Sequence, residues 1–195
     1  MNMQVLVAGE DLSFGKGGMG NSGFVKEKSR EFDFKFYSCP KLHIDGEEVS
    51  ATLVRRQVAE GDMESCQEFL GRPYHVSGTV CKGNQLGRTI GVPTCNIVAP
   101  ADKLLPPNGV YFTDVYLGTG HFYGVTNVGN KPTVGNHYVV GIETHILGFD
   151  EEVYGEEMEL DFLHFHRPER RFESLEVLKE QLHFDIAAAK EYFKI

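Results

Sequence analysis

Residues 78–97 bring together four glycines, two cations and a Pro-Thr-x-Asn box. Gly78, Gly83, Gly87 and Gly91 can take positive φ or let a ligand approach bare backbone. Lys82 and Arg88 lie inside that frame, and successive backbone N–H groups in a turn form an anion-binding concavity. Thr94 and Asn96 follow, one residue apart. In an extended segment their oxygens point to the same side, an arrangement suited to a hard cation such as Mg²⁺. The stretch could therefore hold a polyphosphate and its metal. Equally, glycines and a proline at this density suit the hairpin turns of a β-barrel, and Thr-x-Asn suits an ordinary strand edge. Spacing alone leaves both readings open.

A second position with chemical potential is Glu143. The alternation through residues 139–146 places Val140, Ile142, Thr144 and Ile146 on one face, and Gly141, Glu143 and His145 on the other. A carboxylate in mid-strand is costly to bury without a partner. It either faces solvent or works as a general base that takes a proton from an alcohol. His164-x-His166 could be a metal pair, but no third ligand stands at useful spacing. Arg167-Pro168-Glu169-Arg170-Arg171-Phe172 reads either as a charged loop or as a cation and ring edge presented to a planar ligand.

These groups need a scaffold, and composition bounds it. The 195 residues suit one or two domains, and with 41% hydrophobic residues a real core can form. Twenty-two glycines and eight prolines imply many turns. No apolar run approaches the length of a membrane span, and the N-terminus lacks the charged start and apolar stretch of a signal peptide, so a cytoplasmic protein without membrane contact is expected. A net charge of −9 argues against general nucleic-acid binding. An acidic protein that binds phosphates must concentrate its cations, as Lys82/Arg88 and residues 167–171 do. Cys39, Cys66, Cys81 and Cys95 form no Cys-x-x-Cys pair and read as reduced thiols serving as small core residues.

Along the chain, Val5-Leu6-Val7 reads as a strand. Gly15-x-Gly17-x-x-Gly20 matches a dinucleotide fingerprint, but seven residues part it from Val7, and Asn21-Ser22-Gly23 after it is turn-like; the true motif follows its strand directly and opens a helix. Gly9 to Lys16 has one residue too many for a nucleoside-triphosphate loop and lacks the following Ser/Thr. Residues 32–36 alternate as a strand. Residues 50–70 have helical spacing, broken at Gly61, with Asp62 as N-cap and Gly71 as stop; a domain junction comes next, at residues 71–74. Strands are expected at 75–80, 109–117, 121–127, 139–147 and 157–165, with turns at 106–109, 118–120 and 129–132, the pattern of a small barrel. A helix from about 174 to 193, N-capped by Ser174, carries the apolar stripe Leu175, Leu178, Leu182, Ile186, Ala189 and Phe193. Its simplest role is to close the barrel, with its charged face in solvent.

Residues 71–195 resemble a riboflavin kinase domain from end to end. The matching motifs are Gly-x-Val-x-x-Gly-x-x-x-Gly-Arg-x-x-Gly-x-Pro-Thr-x-Asn (78–96), Pro-x-Gly-Val-Tyr (107–111), Gly-Val-Thr-Asn-x-Gly-x-x-Pro-Thr (124–133), Glu-Thr-His-Ile-Leu (143–147), Tyr-Gly-Glu (154–156) and Arg-Pro-Glu-x-x-Phe (167–172). The resemblance implies a mainly β domain, a six-stranded Greek-key barrel with a C-terminal helix. It implies transfer of the ATP γ-phosphoryl group to the 5′-hydroxyl of riboflavin, giving FMN. Carried over by position, Gly78, Lys82, Gly83, Gly87, Arg88 and Gly91 cradle the nucleotide. Thr94 and Asn96 hold Mg²⁺ and phosphates, and Glu143 is the general base. Tyr111, Thr144, Arg167 and Phe172 belong to the flavin side. Cys95 departs from the alanine usual inside the Pro-Thr-x-Asn box.

Residues 1–70 resemble the C-terminal half of the α/β adenylyltransferase domain of bacterial bifunctional FAD synthetases, through Val7-x-Gly9-Glu10-Asp11, Phe14-Gly15-Lys16 and Val49-Ser50-Ala51-Thr52-Leu53-Val54-Arg55. Ala51 replaces a serine of that family's phosphate motif, and its His-x-Gly-His box is absent from this sequence. The expectation is a partial nucleotidyltransferase segment, 1–70, before a whole kinase domain, 71–195. Retained adenylylation of FMN to FAD, and a non-catalytic flavin- or nucleotide-binding module, are the alternatives.

Overall fold

Val5, Leu6 and Val7 form a strand, as an apolar run with two β-branched valines favours. In the computed structural model, which describes residues 3–83, 86–132 and 138–195, strand β1 (Val5–Gly9) pairs in parallel with β2 (Lys35–Cys39). Helix α1 (Ser22–Glu31) makes the crossover that a parallel pair requires. This helix departs from the turn expected at residues 21–23. The Asn21 side chain is an N-cap, accepting from the Phe24 N–H at 2.9 Å. With Val25 as its one buried residue, α1 has almost no apolar stripe to reveal it. The strand expected at 32–36 starts three residues later, because Phe32 caps the helix and Asp33 turns the chain at φ 52°. The first compact unit ends at Ser50.

The second unit, Ala51–Ile195, begins with α2 (Ala51–Glu60) and α3 (Met63–Leu70). Their boundaries agree with the sequence signals. Asp62 accepts from the Ser65 N–H at 3.0 Å, and Gly71 ends α3 in the left-handed region at φ 68°. Packing groups both helices with the C-terminal strands: Met63 is fully buried in the core those strands form, and Glu64 accepts from His164 at 2.6 Å. The compact unit thus starts at residue 51, earlier than the junction read at 71–74.

Six antiparallel strands then close into a barrel: β3 (Tyr74–Cys81), β4 (Cys95–Val98), β5 (Gly109–Leu117), β6 (Gly120–Pro132), β7 (Tyr138–Ile146) and β8 (Glu157–Pro168), in the order β6-β7-β4-β3-β8-β5 and back to β6. Closure leaves no free sheet edge. Strand β4, four residues long, was too short to show as a pattern. A short helix, α4 (Leu86–Thr89), precedes it in the chain. The turn expected at 129–132 is strand instead, since β6 runs on and pairs Lys131 with Val139. Inward residues alternate as period two requires: Ile142 and Ile146 on β7, Val76 and Val80 on β3, Met158, Leu160 and Phe162 on β8 are all buried. Three threonines share that interior. Thr126 Oγ1 lies 2.8 Å from Thr113 Oγ1 and 2.9 Å from Thr144 Oγ1, so each buried hydroxyl has a partner.

Two features place groups at the barrel's rim. Strand β8 shifts register between Phe162 and His164 and again between Phe165 and Arg167. Such bulges re-aim side chains at barrel ends. Helix α5 (Leu175–Phe193), N-capped by Ser174, packs its last turns on the barrel, where Ala189 is fully buried and Phe193 stacks on Tyr123 at 4.1 Å. Its first turns are less covered, and Leu175 is 47% exposed. The cysteines are free thiols. Cys66 belongs to the core, whereas Cys39 is exposed.

Candidate active site

Glu143 is set by register. Its inward neighbours Ile142 and Thr144 are buried, which turns Glu143 and His145 to the outer face of β7. There Glu143 stands opposite Asn96 of β4 on one side and Asn127 of β6 on the other. The Thr94 hydroxyl donates to Glu143 Oε1 at 3.3 Å. Thr94, Asn96 and Glu143, read separately from the sequence, are thereby one cluster.

Two clefts adjoin the cluster: Thr94 lines both, Glu143 lines the smaller, and Asn96 lines neither. The larger, of about 550 Å³, is lined by Arg88, Gly91, Pro93, Thr94, Cys95, Thr144, His145 and the 148–154 segment. Arg88 and Glu152 form an ion pair at 3.0 Å between α4 and that segment. Both side chains are exposed, and such pairs contribute little to stability. The smaller cleft, of about 240 Å³, is lined by Gly87, Val92, Thr94, Asn127, Glu143, His145, Arg167, Glu169, Arg170, Phe172 and, from α5, Leu178, Leu182, Asp185 and Ile186. Thr94 and His145 line both. The dividing wall is therefore one threonine, one histidine and the adjoining carboxylate.

His145 is held firmly in that wall. Its Nδ1 lies 2.8 Å from the Pro93 carbonyl oxygen and donates to it, which leaves Nε2 as the acceptor of the neutral ring. Burial pushes its pKa down against the opposing pull of the Pro93 hydrogen bond, with Lys190 and His183 adding to the depression. A neutral histidine at the wall adds no positive charge beside Glu143.

The remaining residues singled out in the sequence fall at different places. Gly83 gives Asn96 its room: a β-carbon there would lie 2.5 Å from the Asn96 amide nitrogen. Gly91 sits at φ 82°, a backbone state L side chains rarely adopt. Gly78 and Gly87 are packing glycines, where a β-carbon would meet the Val98 and Val92 carbonyl oxygens at 2.7 and 2.2 Å. Lys82 is exposed, and neither Lys82 nor Gly78 lines either cleft. Arg167 and Phe172 share the smaller cleft. Thr144 lies instead on the larger one, its side chain fully buried in the hydroxyl ladder. Tyr111 lines neither; it is fully buried and donates to the Pro107 carbonyl at 2.6 Å. His164 and His166 are engaged with Glu64 and Asp185. Asp185, Asn127 and Glu169 were not singled out as site residues, although Asn127 and Glu169 stand inside the motifs at 124–133 and 167–172. Asp185 had a signal, since it stands three residues after Leu182 and four before Ala189, on the apolar side of α5.

The oxygen chemistry of the cluster bears on a metal. Among the described residues no group of three or more His, Cys, Asp or Glu could hold an ion. Thr94, Asn96 and Glu143 offer oxygens only, too few for an all-protein cage. That fits Mg²⁺, which keeps waters and is completed by substrate phosphates.

Comparison with known proteins places this arrangement. A family model described as riboflavin kinase matches residues 70–193, and one described as FAD synthetase matches residues 1–53. The chain is similar to the bifunctional riboflavin kinase/FMN adenylyltransferase of Haemophilus influenzae, 35% identical over 194 residues, which are 99% of this chain and 62% of that protein. It is likewise similar to that of Listeria monocytogenes, 35% identical over 193 residues, 99% of this chain and 61% of that one. A solved structure named as a macrolide-efflux protein from Streptococcus pneumoniae superposes with a TM-score of 0.85 at 28% identity, covering 95% of this chain and 60% of that one. The chain thus spans about 60% of the length of these relatives. Among the described residues no helix is long and apolar enough to cross a membrane.

Proposed function

The chain belongs to the riboflavin kinase family, and from that premise we propose that it transfers the γ-phosphoryl group of ATP to the 5′-hydroxyl of riboflavin, giving FMN and ADP. The observation that carries the reading is the wall between the clefts: a carboxylate, Glu143, hydrogen-bonded to a hydroxyl that lines both of them. Phosphoryl transfer needs two bound substrates meeting in line, with charge neutralised where they meet.

ATP occupies the larger cleft, with its phosphates toward Arg88, Gly91 and Thr94. The flavin occupies the smaller one, where Leu178, Leu182 and Phe172 offer apolar surface to a planar ring and Arg167 and Arg170 offer cations. Glu143 takes the proton of the 5′-hydroxyl as its oxygen bonds to the γ-phosphorus, while the bond from that phosphorus to the bridging oxygen of ADP breaks. Thr94 donates to the carboxylate and orients it. Thr94 and Asn96 would hold Mg²⁺, which when bound would neutralise the triphosphate charge. Neutral His145 keeps the wall closed without drawing the Glu143 carboxylate into an ion pair. These substrates are small cytoplasmic metabolites, in keeping with a protein of that compartment. In this reading the family division is a partial adenylyltransferase-like segment, 1–70, ahead of the kinase region, 71–195.

The test is incubation of the chain with riboflavin, ATP and Mg²⁺, with chromatographic separation of the flavins. FMN from the wild type, and a kcat lowered about 10²- to 10⁴-fold in Glu143→Gln with riboflavin binding retained, is the expected result. Wild-type turnover in Glu143→Gln would remove the base assignment. FAD appearing after FMN would show that adenylylation is retained as well.

A further inference from the structure

Asp185 has no solvent exposure at all, yet it is charged and lies on a helix whose expected task was to close the barrel. Its surroundings explain the burial. Arg167 grips it with two parallel hydrogen bonds, Nε to Oδ1 at 2.9 Å and Nη2 to Oδ2 at 2.6 Å. Paired forks of this kind fix a guanidinium plane as well as its position. Gln181, one turn earlier on α5, donates to Oδ1 at 2.7 Å and accepts from Arg170 through its own amide oxygen. His166 Nε2 lies 3.4 Å from the same carboxylate. Burial works to raise the Asp185 pKa, but the hydrogen bonds from Arg167 and Gln181 and the charge of Arg167 outweigh it and hold it below the ordinary value.

Both arginines reach the smaller cleft, and both flank the same ring. The Arg170 guanidinium carbon lies 4.8 Å from the centre of Phe172 and that of Arg167 5.9 Å. The three residues sit on the segment after the second β8 bulge, outside regular structure from residue 169 onward. Arg167 at the end of β8 and Arg170 on the loop after it are long cations with many rotamers, and fixing each rotamer-rich side chain has an entropic cost on binding. One buried carboxylate and one amide, four residues apart on a rigid helix, remove that freedom beforehand.

Resting on the functional reading above, the geometry points to Asp185 as a positioning residue of the acceptor cleft. Through Arg167 directly, and through Gln181 to Arg170, it presets the cationic and aromatic wall that receives riboflavin. Helix α5 is in this view part of the acceptor site. Asp185 does not take part in the proton transfer, which belongs to Glu143 on another element. A defect at Asp185 should therefore appear in riboflavin recognition and leave ATP recognition alone, because the larger cleft has no residue of α5 in its lining.

The test compares the whole wild-type chain with Asp185→Asn and Gln181→Met, using steady-state FMN formation with each substrate varied and riboflavin fluorescence quenching without ATP. Asp185→Asn is close in shape, but its amide replaces one arm of the fork with a donor facing a donor. The expected result is a riboflavin KM and Kd raised about tenfold, an ATP KM within about twofold of wild type, and a smaller riboflavin defect in Gln181→Met. A folded Asp185→Asn with unchanged riboflavin KM and Kd, or with both substrates' KM raised together, overturns the inference. If Asp185→Asn does not fold, Gln181→Met decides: a raised riboflavin KM alone supports the relay, and an unchanged one sinks it. A wild type that binds riboflavin but makes no FMN would count against the kinase reading, while the binding comparison would still judge Asp185.

Discussion

Gly83 offers a sharp test of how the Thr94–Asn96–Glu143 cluster is held, because it lines neither cleft itself. Its φ lies outside the left-handed region, so alanine is compatible with the backbone there. The obstacle is steric. A β-carbon would lie 2.5, 2.6 and 2.7 Å from the Nδ2, Cγ and Oδ1 atoms of Asn96, where ordinary contact begins at 3.4 Å. The amide must therefore retreat by about 0.9 Å, the difference between 3.4 and 2.5 Å. Asn96 is 5% exposed and strand-mounted opposite Glu143, so the displacement is passed to the cluster proposed to hold the metal and the base. A misplacement near 1 Å in a reacting constellation lowers the rate about 10²-fold. In Gly83→Ala the kcat for FMN formation is expected to fall by about that factor. The Mg²⁺ concentration for half-maximal rate should rise, and the riboflavin KM should stay near wild type. A folded Gly83→Ala with wild-type kcat and Mg²⁺ dependence would refute the argument that this glycine exists to seat Asn96.

Two further outcomes concern groups away from the reacting atoms. Thr126→Val removes the middle hydroxyl of the buried ladder and takes a partner from both Thr113 and Thr144; a loss of about 1–3 kcal/mol is expected in denaturant melts, and an unchanged melt would mean that the ladder contributes nothing net. His145, with its pKa lowered by burial, takes up its proton at lower pH in the folded state than in the unfolded chain, where the ordinary value is 6.5. Stability from this group is thus complete above 6.5 and lost as pH falls below it. Melts of His145→Asn from about pH 7.5 to about pH 5.5 should lose less stability than the wild type, and an equal loss would show that other groups dominate.

The long barrel strands were legible in the residues because alternation and turn chemistry agree there, and β5 has the bounds that its pattern gives. Strand β4 was not legible, since Cys95–Val98 is four residues and draws its stability from pairing with β3 and β7. Helix α1 was hidden for the opposite reason: one buried valine leaves no periodic stripe, and a lone Asn21 cap was its signal. The stripe of α5 was plain, but its meaning changed. Leu178 and Leu182 face a cleft, and the one acid on the buried side, Asp185, is no part of a solvated charged face.

By itself, the sequence determined which residue types could do the chemistry and the local elements that carry them. Hydroxyl, amide and carboxylate oxygens, glycines beside cations and period-two strands are all local properties, written within a few positions of one another. Closure decided the rest. Glu143 and Thr94 are 49 residues apart and meet only because β7 pairs with β4. Arg167 and Asp185 meet because two bulges and a helix bring a rim and a buried face together. Register and packing are set by the sum of many distant contacts, and no window of the sequence contains that sum.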